Sequence, residues 1–361
     1  MIMRYPSFAF LIFLGVLFTA CNKPPEKPRV IITTDIQVCC GDPDDIQSLC
    51  HVLWYADELD IRAIIPEKFG RGEEPGGITA AERVLENYRK DYQDTTNNFK
   101  DMGFPEPGYF FNEALQTNRD SAIQRIISEA QAKDNRPLYI LAWGNMNILK
   151  DALIKEPEIA ESIRVLSIGT NLRAPSDGGD GVLPNWNGPG RNRIYGDPLF
   201  DDLWWIENDW GYNGMFYGLE YPDEGGRPVK GRPVEIMKEL ADKAGHLGDH
   251  LMEVVSEDRV KWAWYFRAGD TPTVLYMIDP ENNFDDPSYG SWAGIFQQPF
   301  PETRPNYWTN VTGESGFDYA DPVESWNKAD SAIRKSYRHL LEEREEMYGK
   351  LINKVEKIYG K

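Results

Sequence analysis

The sequence predicts an α/β fold: a mostly parallel sheet with helices on both faces. Three observations predict it. Short apolar, β-branched runs recur through the first half, segments of helical period lie between them, and turn residues separate the two. The first run, "RVIITT" (29–34), reads as a buried strand ending in threonines. After an acidic turn, Ile46, Leu49, Cys50, Leu53 and Trp54 recur at i, i+3, i+4, i+7 and i+8, one face of a helix. Asp44 or Asp45 stands near its N-cap. "DIRAII" (60–65) is a second strand and "GITAAERVLENYRKDY" (77–92) a second helix. "SAIQRIISEAQAK" (121–133) is helical, "PLYILAW" (137–143) a strand, "MNILKDALIK" (146–155) a helix and "IRVLSIG" (163–169) a strand.

From 170 to 230 the chain turns rich in Gly, Pro, Asn and Trp, which reads as a long functional loop. "PVEIMKELADKA" (233–244) and "TPTVLYMI" (271–278) return to helix. Residues 323–359 predict a long charged helix carrying Ile333, Tyr337, Leu340, Leu341, Tyr348, Leu351, Ile352 and Val355 on one face. The simplest division is one α/β domain, 29–322, with a C-terminal helical extension, 323–361. That extension reads as a solvated packing helix, with a homo-oligomer contact as the alternative.

The chain is 41% hydrophobic and 27% charged, the composition of a folded protein. Its net charge of -19 repels phosphate backbones and argues against a nucleic-acid partner. Residues 1–21 read as a signal peptide: Arg4, an apolar stretch from Phe8 to Phe18, then Thr19-Ala20 ahead of Cys21. Small residues before a cysteine resemble a lipobox, which makes Cys21 the expected lipidation site. The expected location is that of an exported, membrane-anchored lipoprotein, in the bacterial periplasm or at the cell surface. "NKPPEKP" (22–28) reads as a stiff proline-rich tether. Cys39, Cys40 and Cys50 lack the CxxC-like spacing of a zinc site. Buried free thiols are expected, with a Cys50 bridge to Cys39 or Cys40 as the alternative.

The stretch "TTDIQVCCGDPDDIQSL" (33–49) gathers Asp35, Asp42, Asp44 and Asp45 where one strand gives way to a helix. In open α/β sheets, ligands bind beyond the carboxyl ends of the strands, so these side chains face the binding crevice. Clustered carboxylates without soft ligands suit a hard cation, calcium above all if backbone carbonyls join in. Helix capping and the helix dipole account for one or two of the four aspartates, not for all. "HLGDH" (246–250) lacks the glutamate of a HExxH protease, and no Gly-x-Ser-x-Gly elbow occurs. "GRGEEPGG" (70–77) does not cradle phosphate in the P-loop pattern.

Four ordered stretches carry a resemblance. "VIITTD…GDPDDIQSL" resembles the amino-terminal motif of nucleoside hydrolases. "LYILAWGNMNILKDAL", "PNWNGPGRNRIYGDPLF" and "GDTPTVLYMI…SYGSWAG" resemble that superfamily's later segments. The set is closer still to the nucleoside-hydrolase-like domain of secreted proteins named after a cellulose-binding protein. The resemblance implies a Rossmann-like fold and calcium held by Asp35, Asp45, Asp270 and the backbone carbonyl of Asn147. It further implies that Asp35 takes a proton from a calcium-bound water, while Asp44, Asn185 and Asn187 hold the sugar. Thr33 stands where catalytic members have their first aspartate, and Ala268-Gly269 precede Asp270 where some carry a histidine.

The implied function is calcium-dependent hydrolysis of an N-ribosyl or related glycosidic bond in a small sugar conjugate. The alternative is a non-catalytic lipoprotein that binds plant or host polysaccharide and keeps the fold and metal site. Trp143, Trp186 and Trp292 either line a sugar pocket or serve as core, and Arg71 is a candidate to reach the site from its loop.

Overall fold

A computed structural model describes residues 26–38, 43–72, 76–168, 188–208, 232–256, 266, 268–309 and 322–360. Six strands form the sheet: β1 (Arg29–Thr34), β2 (Asp60–Pro66), β3 (Leu138–Trp143), β4 (Ile163–Ile168), β5 (Trp204–Asn208) and β6 (Tyr307–Thr309). They lie in the order β2-β1-β3-β4-β5-β6, and every adjacent pair is parallel. The chain leaves β1 for one neighbour, β2, and then crosses back to the other, β3. The order therefore reverses at β1, and a crevice opens between the carboxyl ends of β1 and β3.

Strands covered on both faces must be apolar throughout rather than alternating. β1 obeys this: Val30 and Ile32 enter one core layer and Ile31 the opposite one. The first layer is covered by α1 (Asp44–Trp54) and α2 (Gly77–Gln93), together with helices Arg232–Lys243 and Gly245–Ser256. The second layer is covered by helices Arg119–Ala130 and Asn147–Lys155. Helix Arg119–Ala130 begins before the predicted start because the Asn118 side chain accepts the Ser121 N–H at 2.9 Å and caps it.

The long C-terminal helix, Pro322–Tyr359, packs Tyr348, Leu351, Ile352 and Val355 into the first layer. Its end is fastened by a buried relay. Trp54 Nε1 donates to the Tyr359 hydroxyl (3.2 Å), which donates to Asp91 Oδ2 (2.6 Å). Asp91 also accepts the N–H groups of His246 (2.7 Å) and Leu247 (3.0 Å), capping helix Gly245–Ser256 from α2. Gly245 is required there: its φ is +58°, and a Cβ would sit 2.6 Å from Asp91 Oδ1.

The stretch 170–230 is not one long loop. It contains helix Gly188–Tyr195 and the whole of β5. β5 carries a buried Glu207, matched by a two-pronged ion pair with Arg191 (2.8 and 2.7 Å) and by the Tyr307 hydroxyl from β6. Burying that carboxylate is tolerable only because it is paired and hydrogen-bonded. No helix among the described residues is long and apolar enough to cross a membrane.

Candidate functional site

The crevice between β1 and β3 is built by backbone first. The Asp35 N–H donates to the Trp143 carbonyl at 3.2 Å, continuing the β1–β3 ladder one residue beyond the strand. Next to it Gly144 has φ +105°, and a Cβ there would lie 2.5 Å from Asp35 Oδ1. Only glycine fits both the backbone and the approach. Thr34 ties the strand end to α1: its hydroxyl donates to Asp45 Oδ1 and accepts the Ile36 N–H (3.1 Å). The N-cap of α1 is Pro43, with no side-chain cap, so Asp44 and Asp45 occupy the first turn rather than the cap. Asp44 Oδ1 accepts the Asp45 N–H at 3.2 Å.

Asp270 arrives from far along the chain on a segment that α1 grips. Gln47 Oε1 accepts the Ala268 N–H (2.8 Å), and the Thr271 hydroxyl donates to Ser48 Oγ (3.1 Å). His51 Nδ1 lies 3.3 Å from the same Thr271 hydroxyl. From β3, Trp143 Nε1 donates to the Thr273 hydroxyl (2.7 Å), which donates to the Asp270 carbonyl (2.9 Å). Ala268 holds φ +35°, in the left-handed region that favours glycine. This web places ligand oxygens of Asp44, Asp45 and Asp270 all within 4.8 Å of one another.

Two of these carboxyls are buried, Asp45 at 8% and Asp270 at 3% exposure. Burial, then the charges of Asp270, Asp35 and Asp44, push the Asp45 carboxyl well above the usual carboxylate range, against the Thr34 bond. Burial lowers His51 to about 3, so its imidazole is neutral at pH 7. A donor set of carboxylates held this close, with one of them raised by its neighbours, fits a hard divalent cation.

Asp35 stands outside that tight group, its side chain 34% exposed and paired with Lys68 Nζ at 3.1 Å. Beside it, burial and the Asp35 charge push Glu67 well up, against the opposing pull of the Asn147 and Ile148 backbone and the Arg119 charge. The Glu67 N–H donates to the Thr34 carbonyl (2.8 Å), which fastens the end of β2 to the end of β1. Asn147 is the first residue of that helix, its N–H bound to Asn145 Oδ1 at 2.8 Å. Its carbonyl belongs to the helix ladder, which leaves one lone pair for a further partner.

Of the other expected residues, Asn185, Asn187, Cys21, Asp42, Cys39, Cys40 and Trp186 lie outside the described residues. Cys50 is a buried free thiol. Trp143 and Trp292 are buried core side chains. Arg71 pairs with Glu82 at 2.5 Å. The sequence reading missed Thr34, Gln47, Glu67 and Lys68. The signal for the last two was present: a Glu-Lys pair directly after an apolar strand falls at the same sheet edge as Asp35.

The fold is shared with a nucleoside hydrolase-related hypothetical protein from Saccharophagus degradans that is associated with carbohydrate metabolism. The identity is 19% and the TM-score 0.59, over 92% of this chain and 72% of that one. An inosine-uridine preferring nucleoside hydrolase from Bacillus anthracis is more distant: 13% identity and TM-score 0.42, over 82% of this chain and 99% of that one. An inosine-guanosine nucleoside hydrolase stands at 12% and 0.43, over 87% and 99%. No curated protein matches the chain by sequence. The family model described as "Cellulose-binding Sde182, nucleoside hydrolase-like domain" matches residues 29–296, and the chain belongs to that family.

Proposed function

We propose that the protein is a calcium-dependent hydrolase that cleaves an N-ribosyl or related glycosidic bond in a sugar conjugate. The observation that carries this reading is the convergence of Asp44, Asp45 and Asp270 within 4.8 Å at the strand-order reversal, beside Asp35. Asp45, Asp270 and Asp44 would hold the cation, with Asp35 and the Asn147 carbonyl completing its shell. A hard cation in that position offsets the carboxylate charge and lowers the pKa of a water.

Asp35, a third exposed at the mouth, accepts the proton of the attacking water. Asp44, half-buried in the first turn of α1, would bind sugar hydroxyls beside the cation. Carboxylates clustered at the reacting carbon stabilise the oxocarbenium-like charge of glycosidic cleavage. Ala268 offers no proton to the leaving group, so the preferred substrate is one whose leaving group departs without an imidazole acid. Asn185 and Asn187 grip the sugar from the far loop, and Cys21 anchors the exported chain to a membrane.

The test is release of reducing sugar from a panel of nucleosides and glycosides, with calcium or with EDTA. Asp35→Asn should lower turnover by about 10²-fold or more, in keeping with loss of a general base. Unchanged turnover would remove Asp35 from that role.

The second reading, a lipoprotein that binds polysaccharide without cleaving it, is favoured by two observations. Ala268-Gly269, not a histidine, stand directly before Asp270, and the family is described as cellulose-binding. It predicts retention on cellulose or another polysaccharide with no sugar released; hydrolysis of a small substrate without any glycan retention would remove it.

A further inference from the structure

The acidic crevice carries its own cation. Lys68 Nζ lies 3.1 Å from Asp35 Oδ2, with both side chains 34% exposed. The lysine does not hang from a free loop. Glu67, just before it, donates its N–H to the Thr34 carbonyl at 2.8 Å. The Glu67 carboxyl is buried beside the first residues of helix Asn147–Lys155, whose backbone acts on its pKa. The base of Lys68 is therefore fastened to the end of β1, and its ammonium is held at Asp35, beside the carboxylate cluster.

The geometry points to Lys68 as a tethered competitor of the metal ion: a divalent cation bound among Asp44, Asp45 and Asp270 must share Asp35 with the ammonium or displace it. This rests on the cation-site reading given above. Asp35 acts at short range on the cluster, since its charge is among those acting on Asp45. Two positive centres this close repel, while each is attracted to the same carboxylate. Lys68 thus has opposite effects in the two states. Without a divalent ion it relieves the mutual repulsion of the aspartates, and with one it weakens the ion's hold.

The test uses the full chain, wild type and Lys68→Met, with Lys68→Gln as a second neutral variant. Calcium affinity is measured by calorimetry and the unfolding temperature in EDTA and in calcium. Removing the ammonium should tighten calcium about tenfold, the scale of one partly exposed charge acting on a divalent ion. It should lower the unfolding temperature in EDTA yet enlarge the rise on adding calcium. A merely structural lysine would lower both temperatures alike and leave affinity unchanged. Affinity within twofold of wild type, or weaker, in both variants would overturn the inference and leave the cation site standing. Calcium binding by neither wild type nor variants would overturn the site and the inference together. Binding by the variants alone would support both, with Lys68 the stronger competitor.

Discussion

The two ends of the β1–β2 pair treat their carboxylates in opposite ways. At the amino-terminal end, Glu129 receives Arg29 (3.1 Å), Arg62 (2.9 and 3.1 Å) and Arg125 (3.5 Å). Arg136 there spans Asp60 (2.9 Å) and Asp134 (2.6 Å). Burial would raise Glu129, but the bonds and charges of Arg62 and Arg29 outweigh it and hold it below the usual range. Asp134 is likewise held low, by Arg136. At the carboxyl-terminal end, Asp45 and Glu67 are both pushed well up. Lys68 pairs with Asp35 there, and the Arg119 charge only partly offsets the rise of Glu67. The same two strands thus match their acids with arginines at one end and gather carboxyls with raised pKa at the other, where the candidate cation site lies.

Glu129→Ala should break the comparison at the balanced end with the largest effect. It leaves Arg29, 3% exposed, with only the longer Asp134 contact (3.6 Å), and should cost about 3 kcal/mol in urea unfolding. Calcium affinity, measured alongside, should stay within about twofold, because no residue of that cluster reaches the crevice.

Thr273→Val strands the Trp143 indole N–H in the core and frees the Asp270 segment from β3. About 2 kcal/mol of stability should be lost, with calcium binding weakened as well. Unfolding curves and calorimetry on one preparation separate the two effects.

Asp45→Asn sharpens the contrast through its sign. In EDTA this variant should be more stable than wild type at neutral pH, since it removes a buried charge among like charges. A carboxyl whose folded pKa is raised favours folding fully below its unfolded pKa, and that advantage is lost as pH rises through the folded value. The variant's lead should therefore grow with rising pH and vanish in acid, the opposite of Glu129, whose contribution is present at neutral pH and lost as pH falls. Unfolding temperatures across that range would show it; a lead independent of pH would mean that the Asp45 charge is not what matters.

Much of this was legible in the sequence, for physical reasons. β1 to β4 announce themselves because each holds a run of buried apolar residues, as strands covered on both faces require. β5 does not, since Glu207 interrupts "WWIEN" and is made tolerable only by Arg191, whose position beside it no local pattern reveals. β6 is too short to show a period. Asp35, Asp44 and Asp45 are visible as a cluster because one strand-to-helix turn carries them all. Asp270 is brought to them by Gln47, Ser48, Thr271 and Thr273, a tertiary arrangement that only resemblance could anticipate. Lys68 reads as an ordinary surface lysine until the sheet sets β2 beside β1.

The central claim is that the strand-end carboxylates form a cation site, and calcium titration of the full chain by calorimetry tests it most directly, with Asp45→Ala as the paired variant. Saturable binding by wild type, a rise in its unfolding temperature and loss of both in Asp45→Ala are predicted. No heat and no thermal shift in wild type, or equal binding by the variant, would contradict it.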